Sequence, residues 1–165
     1  MQTYQKIKES KEYQADYNCC TLVASSIVFD LPFKDTQEFY RERGRKYRKG
    51  LRAMDAYKCI EHLAKSKKRK YKRVEKQAIL KLTSGKTMTV NNCSQYLDEN
   101  KDYVLFSTNH AIAVKGGKVE DYTAGKRNRI LSMYEIETGK VLQPVKVETV
   151  SDTLNNLTEL MNNLK

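Results

Sequence analysis

The sequence predicts an α+β fold, with N-terminal helices packed on an antiparallel β-sheet and a C-terminal helix, in one domain spanning residues 1–165. Three observations predict it. Apolar residues recur at helical spacing through the first half of the chain and at strand spacing from Tyr103 onwards. Gly116-Gly117 stands between two strand-like runs, where a hairpin turn needs residues free to adopt positive φ. No repeat or linker divides the chain, and a domain of this length buries about two-thirds of its unfolded surface.

The elements follow in order. Asn18, a good N-cap residue, opens a helix whose inward face is Ala24, Ile27 and Val28, and Leu31-Pro32 ends it. Asp35 caps a short helix from Thr36 to Arg43, closed by Gly44. After Gly50, the spacing of Leu51, Met54, Ala56, Ile60 and Leu63 predicts an amphipathic helix. Val74 to Leu82 has strand character, and Thr89 is placed to cap a short helix holding Val90, Cys93 and Leu97. Tyr103 to Ser107, His110 to Val114 and Lys118 to Tyr122 then predict strands. Further strand is expected in Lys140 to Val150, and Ser151 caps a final helix with Leu154, Leu157 and Leu160 on one side.

Composition excludes several classes. No apolar run approaches the ~18 residues of a membrane helix, and the first residues, MQTYQKIKESKEYQ, lack the apolar core of a secretion signal. No membrane partner is expected. The four cysteines, Cys19, Cys20, Cys59 and Cys93, lack paired CxxC spacing, so no metal and no cofactor are expected, and a set of Cys19, Cys20, Cys59 and His62 fits zinc poorly. Without a secretion signal these cysteines fit thiols of a reducing cytoplasm. Cys59 and Cys93 fall among apolar helix positions, which fits core residues, and His62 fits a surface histidine.

The net charge of +11 is concentrated. Residues 41–73 hold 15 Lys and Arg against Glu42, Asp55 and Glu61, while the rest of the chain is nearly neutral. Candidate polyanion contacts are Arg45, Lys46, Arg48 and Lys49, which lie between Gly44 and Gly50. A second run supplies Lys67, Lys68, Arg69 and Lys70, followed by Lys72 and Arg73. Such a patch attracts nucleic acid or an acidic protein, or serves only as a solubilising face. Tyr47, Tyr57 and Tyr71 are interleaved with it, as stacking residues are in single-strand binders, or else they pack against the helices. No P-loop pattern is present.

The chemistry-bearing residues lie elsewhere. A cysteine in the first turn of a helix meets unpaired N–H groups and the positive end of the helix dipole, which favour thiolate, and both Cys19 and Cys20 qualify. Burial as small apolar side chains is the plain alternative. His110 begins a strand. If Gly116-Gly117 is a two-residue loop, Lys115 pairs with Lys118, and Asp121 faces Ile112 on the same side as His110. Glu120 then pairs with Ala113 and points to the other face. Spacing thus selects Asp121 to orient His110. A thiol beside a His–Asp pair suits nucleophilic attack at acyl carbon.

Asn18-Cys19-Cys20-Thr-Leu-Val-Ala, then Leu31-Pro32, Gly44-Arg-Lys and Gly50, resemble a group of small papain-like-fold proteins of phages and bacteria. Thr89-Val to Tyr96-Leu resembles the helix before that group's core hairpin. Tyr103-Val-Leu-Phe with His110-Ala-Ile-Ala-Val-x-Gly-Gly-x-Val-x-Asp resembles its His–Asp hairpin. In that group an N-D-C start opens the nucleophile helix and a Leu-Pro follows with its proline twelve residues on. Cys20 to Pro32 is that interval, so the resemblance assigns Cys20 as nucleophile and puts Cys19 where Asp is usual. It implies a papain-like cysteine peptidase fold, with Gln14, six residues before Cys20, at the oxyanion position or simply on the surface.

Two functions follow as expectations. The first is a papain-like thiol hydrolase that uses Cys20, His110 and Asp121 on a peptide, isopeptide or related amide bond. Its substrate is a protein or peptide, and its basic surface serves an acidic or nucleic-acid-associated target. The second is a non-catalytic basic protein on the same scaffold, binding nucleic acid or an acidic host protein through residues 41–73. Either is expected in the cytoplasm, that of the host if phage-encoded.

Overall fold

A computed structural model describes residues 1–138, and in them the chain is mixed α+β. Its helices are α1 (Tyr4–Lys8), α2 (Lys11–Ala15), α3 (Cys20–Phe29), α4 (Phe33–Glu42), α5 (Ala53–Ser66) and α6 (Lys76–Leu82). Five strands, β1 (Tyr71–Glu75), β2 (Lys101–Ser107), β3 (His110–Lys115), β4 (Lys118–Glu120) and β5 (Ser132–Glu137), form one antiparallel sheet in the order β1-β5-β2-β3-β4. The strand expected in Lys140 to Val150 and the helix capped by Ser151 lie outside the described residues.

Side chains alternate across the sheet, so each face has its own core. Val104, Phe106, Ala111, Ala113 and Tyr134 pack against α3, α4 and α5. Tyr103, Leu105, Ile112, Val114 and Met133 meet Ile79 of α6 and the segment from Met88 to Cys93. Helix α3 lies against β3, and every residue from Thr21 to Phe29 is buried. It therefore has no solvent face, rather than the single inward face its spacing suggests. The polar groups this buries are satisfied locally: Ser25 Oγ shares a hydrogen bond with Tyr40 Oη at 2.7 Å, and Ser26 Oγ donates to the Leu31 carbonyl at 2.5 Å.

Several boundaries differ from expectation for identifiable reasons. Asn18 does not cap α3: its φ is +59°, and Cys19 occupies the N-cap with no side-chain hydrogen bond. Helix α4 starts at Phe33 directly after Pro32, whose fixed φ suits a helix start, so Asp35 lies in the first turn instead of capping it. Val74 to Leu82 is not one strand. Strand β1 takes Tyr71–Glu75, and the good helix formers of Lys76–Leu82 form α6. Near Thr89 only a 3₁₀ turn at Cys93–Gln95 forms, because Thr89 bridges Arg129. Strand β5 and the helices α1 and α2, capped by Thr3 and Ser10, were not anticipated.

Two tight turns set the ends of β3. Gly116 and Gly117 have φ of +56° and +74°, so the loop has two residues with both φ positive, and Lys115 pairs with Lys118 and Ala113 with Glu120. At the other end of β3, Thr108-Asn109 turns β2 into β3, pairing Ser107 with His110, and Asn109 has φ of +57°.

The basic segment does not form one solvated patch, and two of the candidate contacts are corrected. Arg45 is buried in a bidentate ion pair with Asp16, at 2.6 and 2.9 Å, and Asp16 also accepts from Gln37 and the Arg48 N–H. The chain from Asp16 to Cys20 is thereby tied to the loop after α4. Arg69 is spent on Asp102 at 2.7 Å and on the carbonyls of Val28 and Glu137. Tyr57 and Tyr71 also face inward, Tyr57 onto Phe106 and both onto Tyr134, so only Tyr47 remains at the surface. Arg73 lies 4.0 Å over the Tyr57 ring; of the other candidate contacts, Lys46, Arg48 and Lys49 precede α5 and Lys67, Lys68, Lys70 and Lys72 follow it. A helix of 14 residues, about 21 Å long, stands between these two sets.

Arg45→Ala leaves the Asp16 carboxylate buried and unpaired, and is expected to cost about 3–5 kcal/mol in urea unfolding, against under about 0.5 for exposed Lys46→Ala. Burial pushes the Asp16 carboxyl up, but the Arg45 guanidinium outweighs this and holds it below its ordinary range. The folded value being depressed, the pair stabilises above the unfolded value of about 3.9 and is lost in acid. In Arg45→Ala burial instead raises the unpaired carboxyl, so the difference between the two proteins should shrink as the pH falls towards about 4 and go on shrinking below it.

Candidate active site

Burial of α3 fixes where its first residue stands. Packed along β3, the helix delivers Cys20 to the start of that strand, where His110 is the first residue. Cys20 and His110 line the same two cavities, with Ala111 beside them in one. Cys20 is half-buried at a helix start with no side-chain cap and no acid in its first turn, so nothing competes with the thiol for the helix's positive end.

Strand β4 ends at Glu120, and Asp121 is the first residue past the pairing. Its carboxylate is fixed locally: Oδ1 accepts from the Thr123 N–H at 2.8 Å and from Thr123 Oγ1 at 2.6 Å. Both carboxylate oxygens lie against His110 Nε2, at 3.0 and 3.1 Å. With Nε2 facing Asp121, the ring nitrogen left for the Cys20 proton is Nδ1. Glu120 turns away and accepts from the Tyr4 N–H at 3.1 Å, anchoring α1 beside the hairpin. The Tyr122 ring sits 5.0 Å from the imidazole, covering one side of the His110–Asp121 pair.

The electrostatics separate the four thiols. Burial pushes Cys20 up, but the hydrogen bonds from His110 and Ala111 outweigh it, and its pKa ends below the ordinary thiol value. Burial also disfavours charged His110, yet Asp121 and then Cys20 overcome it and raise the imidazole to about 9. The two shifts favour the same state, a thiolate beside an imidazolium. Cys19 is buried, and with Asp16 beside it the thiol is pushed up to about 12. Burial raises Cys59 and Cys93 as well. Adjacent in sequence, Cys19 and Cys20 are opposite in character.

Two cavities open on either side of this pair. One, of about 460 Å³, is walled by Leu51, Tyr57, Phe106 and Leu131. The other, of about 370 Å³, is walled by Tyr4, Tyr13, Tyr17 and Tyr122, and it contains exposed Gln14 on the same side as Cys20. Asn18, Cys20, Asn109 and His110 line both. Sequence reasoning thus placed Cys20, His110, Asp121 and Gln14 around one cleft, but it missed Tyr4, Tyr13 and Tyr122, although Tyr13 and Tyr122 adjoin Gln14 and Asp121. The backbone conformation at Asn18 and Asn109 was the available signal, since Asn is the non-Gly residue that best tolerates positive φ. Among the described residues, no three His, Cys, Asp or Glu side chains converge on a possible metal position, and no helix is long and apolar enough to cross a membrane.

Iodoacetamide at pH 7 should alkylate Cys20 well before the other three thiols, since an unperturbed thiol of pKa about 8.5 is then only about 3% thiolate. Peptide mapping of the modified protein checks this. Asp121→Asn should lower the His110 pKa from about 9 towards 6.5, read by imidazole proton shifts, and slow Cys20 alkylation at pH 7 because the imidazolium is lost. Modification of Cys19 before Cys20 contradicts this assignment. No family model, curated protein or solved structure matches the chain, so its function is read from the chemistry of these side chains alone.

Proposed function

We propose that the protein is a papain-like thiol hydrolase acting on a peptide, isopeptide or related amide bond. The observation that carries the proposal is that Asp121, His110 and Cys20 line one cleft, with the carboxylate on His110 Nε2 and the thiol at the uncapped start of a buried helix.

The chemistry runs from the ion pair. The Cys20 thiolate attacks the acyl carbon, a C–S bond forms, and the carbonyl π electrons move onto oxygen. Gln14 and the N–H groups at the start of α3 are assigned to that oxyanion. His110 Nδ1 passes its proton to the leaving nitrogen as the C–N bond breaks, leaving a thioester on Cys20. Water then attacks the thioester while His110 takes its proton. The C–S bond breaks, releasing the acid and restoring thiolate and imidazolium. Asp121 keeps the ring oriented and stabilises its positive form without itself changing protonation.

The competing reading, a basic binding protein without catalysis, is carried by Lys67, Lys68, Lys70 and Lys72, which are exposed at the far end of α5. It predicts oligonucleotide or acidic-protein binding that weakens with salt, and no acyl transfer.

Incubation with p-nitrophenyl acetate separates the two. A hydrolase should release p-nitrophenol in a burst and carry an acetyl group on Cys20, seen by mass spectrometry. Cys20→Ala should lose the acetyl group, and His110→Ala should slow the burst by about 10²–10⁴-fold. Acetylation confined to lysines, equal in wild type and Cys20→Ala, overturns the proposal in favour of binding alone.

A further inference from the structure

We infer that the cleft selects a peptide carrying an acidic side chain next to the bond at Cys20, and that Arg48 is the residue that reads it. This rests on the hydrolase reading and names its substrate class.

Arg48 belongs to the loop that the Asp16–Arg45 pair fixes beside the cleft. Its N–H donates to Asp16 at 2.9 Å, its Nε donates to the Ala15 carbonyl at 2.9 Å, and its own carbonyl accepts from Asn18 Nδ2 at 3.5 Å. Asn18 lines both cavities with Cys20, and Gly50 lines the larger one. The guanidinium carbon lies 5.5 Å from the ring centre of Tyr17 and 5.2 Å from that of Tyr47, and both rings are more than half exposed. Two aromatic rings and a carbonyl thus border the guanidinium, which stands at the rim of the cleft beside Tyr17 and Asn18 of its wall. Its terminal amino groups make no hydrogen bond or ion pair among the described residues. A guanidinium with one edge on a carbonyl and a free outer edge is the donor that a carboxylate binds in bidentate fashion.

Two more features agree. Arg48 has φ of +57°, a conformation disfavoured for a long side chain, and it is held there by the contacts above. Asn18 and Asn109, which line the same cleft, share that conformation. The field of the cleft is positive as well. Lys46, Lys49 and Arg52 stand exposed near Arg48, Lys126 lies 5.0 Å over the Tyr122 ring, and the single carboxylate lining either cavity, Asp121, is turned onto His110. A phosphate backbone is the weaker candidate. It needs successive cations along its path, whereas the densest run, Lys67, Lys68, Lys70 and Lys72, lies past the other end of α5, a helix about 21 Å long.

The test measures binding of tetraglutamate, tetraglutamine and a four-nucleotide oligothymidylate at about 50 mM salt, by amide and tyrosine shifts in NMR spectra, to wild type, Arg48→Gly and Arg48→Lys. Arg48→Gly removes the fork and relieves the positive φ, so it is expected to fold, and Arg48→Lys keeps the charge but not the bidentate geometry. Tetraglutamate should shift residues around Asn18 and Cys20 and bind at least about tenfold more weakly to both variants. Equal binding of tetraglutamate and tetraglutamine, or unchanged binding in Arg48→Gly, overturns the inference. Tighter, Arg48-dependent binding of the oligothymidylate overturns it in favour of a nucleic-acid ligand. None of these readouts requires a reactive thiol, so failure of the hydrolase reading in the acetylation assay is seen separately from failure here.

Discussion

Asp16 is almost wholly removed from solvent, and its charge is tolerable there because Arg45 meets both of its oxygens and Gln37 and the Arg48 N–H take what remains. That one carboxylate gathers three parts of the chain: the approach to α3, helix α4 through Gln37, and the loop from Arg45 to Arg48. The start of α3 has no side-chain cap of its own, so the position of Cys20 depends on how the preceding residues are held. They are held by this pair. Complete burial of α3 then carries the constraint to β3, and so to His110.

The candidate site combines local and distant order. Asp121 is fixed by its own neighbour Thr123, and the Gly116-Gly117 turn sets its distance from His110 within a span of eleven residues. Cys20 comes from ninety residues earlier and meets His110 only because a wholly buried helix packs on the sheet. The proposed chemistry thus needs one local device and one tertiary one, and they fail differently. A flaw in the hairpin misorients the imidazole in an otherwise folded protein, whereas a flaw under α3 separates the thiol from its base.

Much of this was legible in the sequence. The helix after Asn18, the amphipathic helix after Gly50, the strands flanking Gly116-Gly117 and the pairing of Lys115 with Lys118 all carry local signals, which is why Asp121 could be distinguished from Glu120. Strand β5 was hard to read: its alternation is confined to Tyr134-Glu135-Ile136-Glu137, and no turn signal or partner run marks it locally. Nor could the fates of Arg45 and Arg69 be read, because their partners Asp16 and Asp102 lie 29 and 33 residues away and nothing local distinguishes a buried arginine from its exposed neighbours. The tyrosine wall beside Cys20 was hidden likewise: α1 and α2 are five-residue helices, and Tyr4 reaches the cleft through a contact with Glu120, 116 residues on.

Among the described residues β1 stands at the margin of the sheet, which gives part of the basic segment a different meaning. A bordering strand offers a row of unsatisfied peptide groups on which a second molecule can add a strand, and a flat apolar border is how sheets stick together. Here Lys70 leads into that border, and Lys72 is exposed on it. Two copies approaching border to border would bring like charges within a few ångströms of one another. At the opposite margin β4 is only three residues long, too short to template much. Positive charge along such a border disfavours strand addition by another copy of the chain.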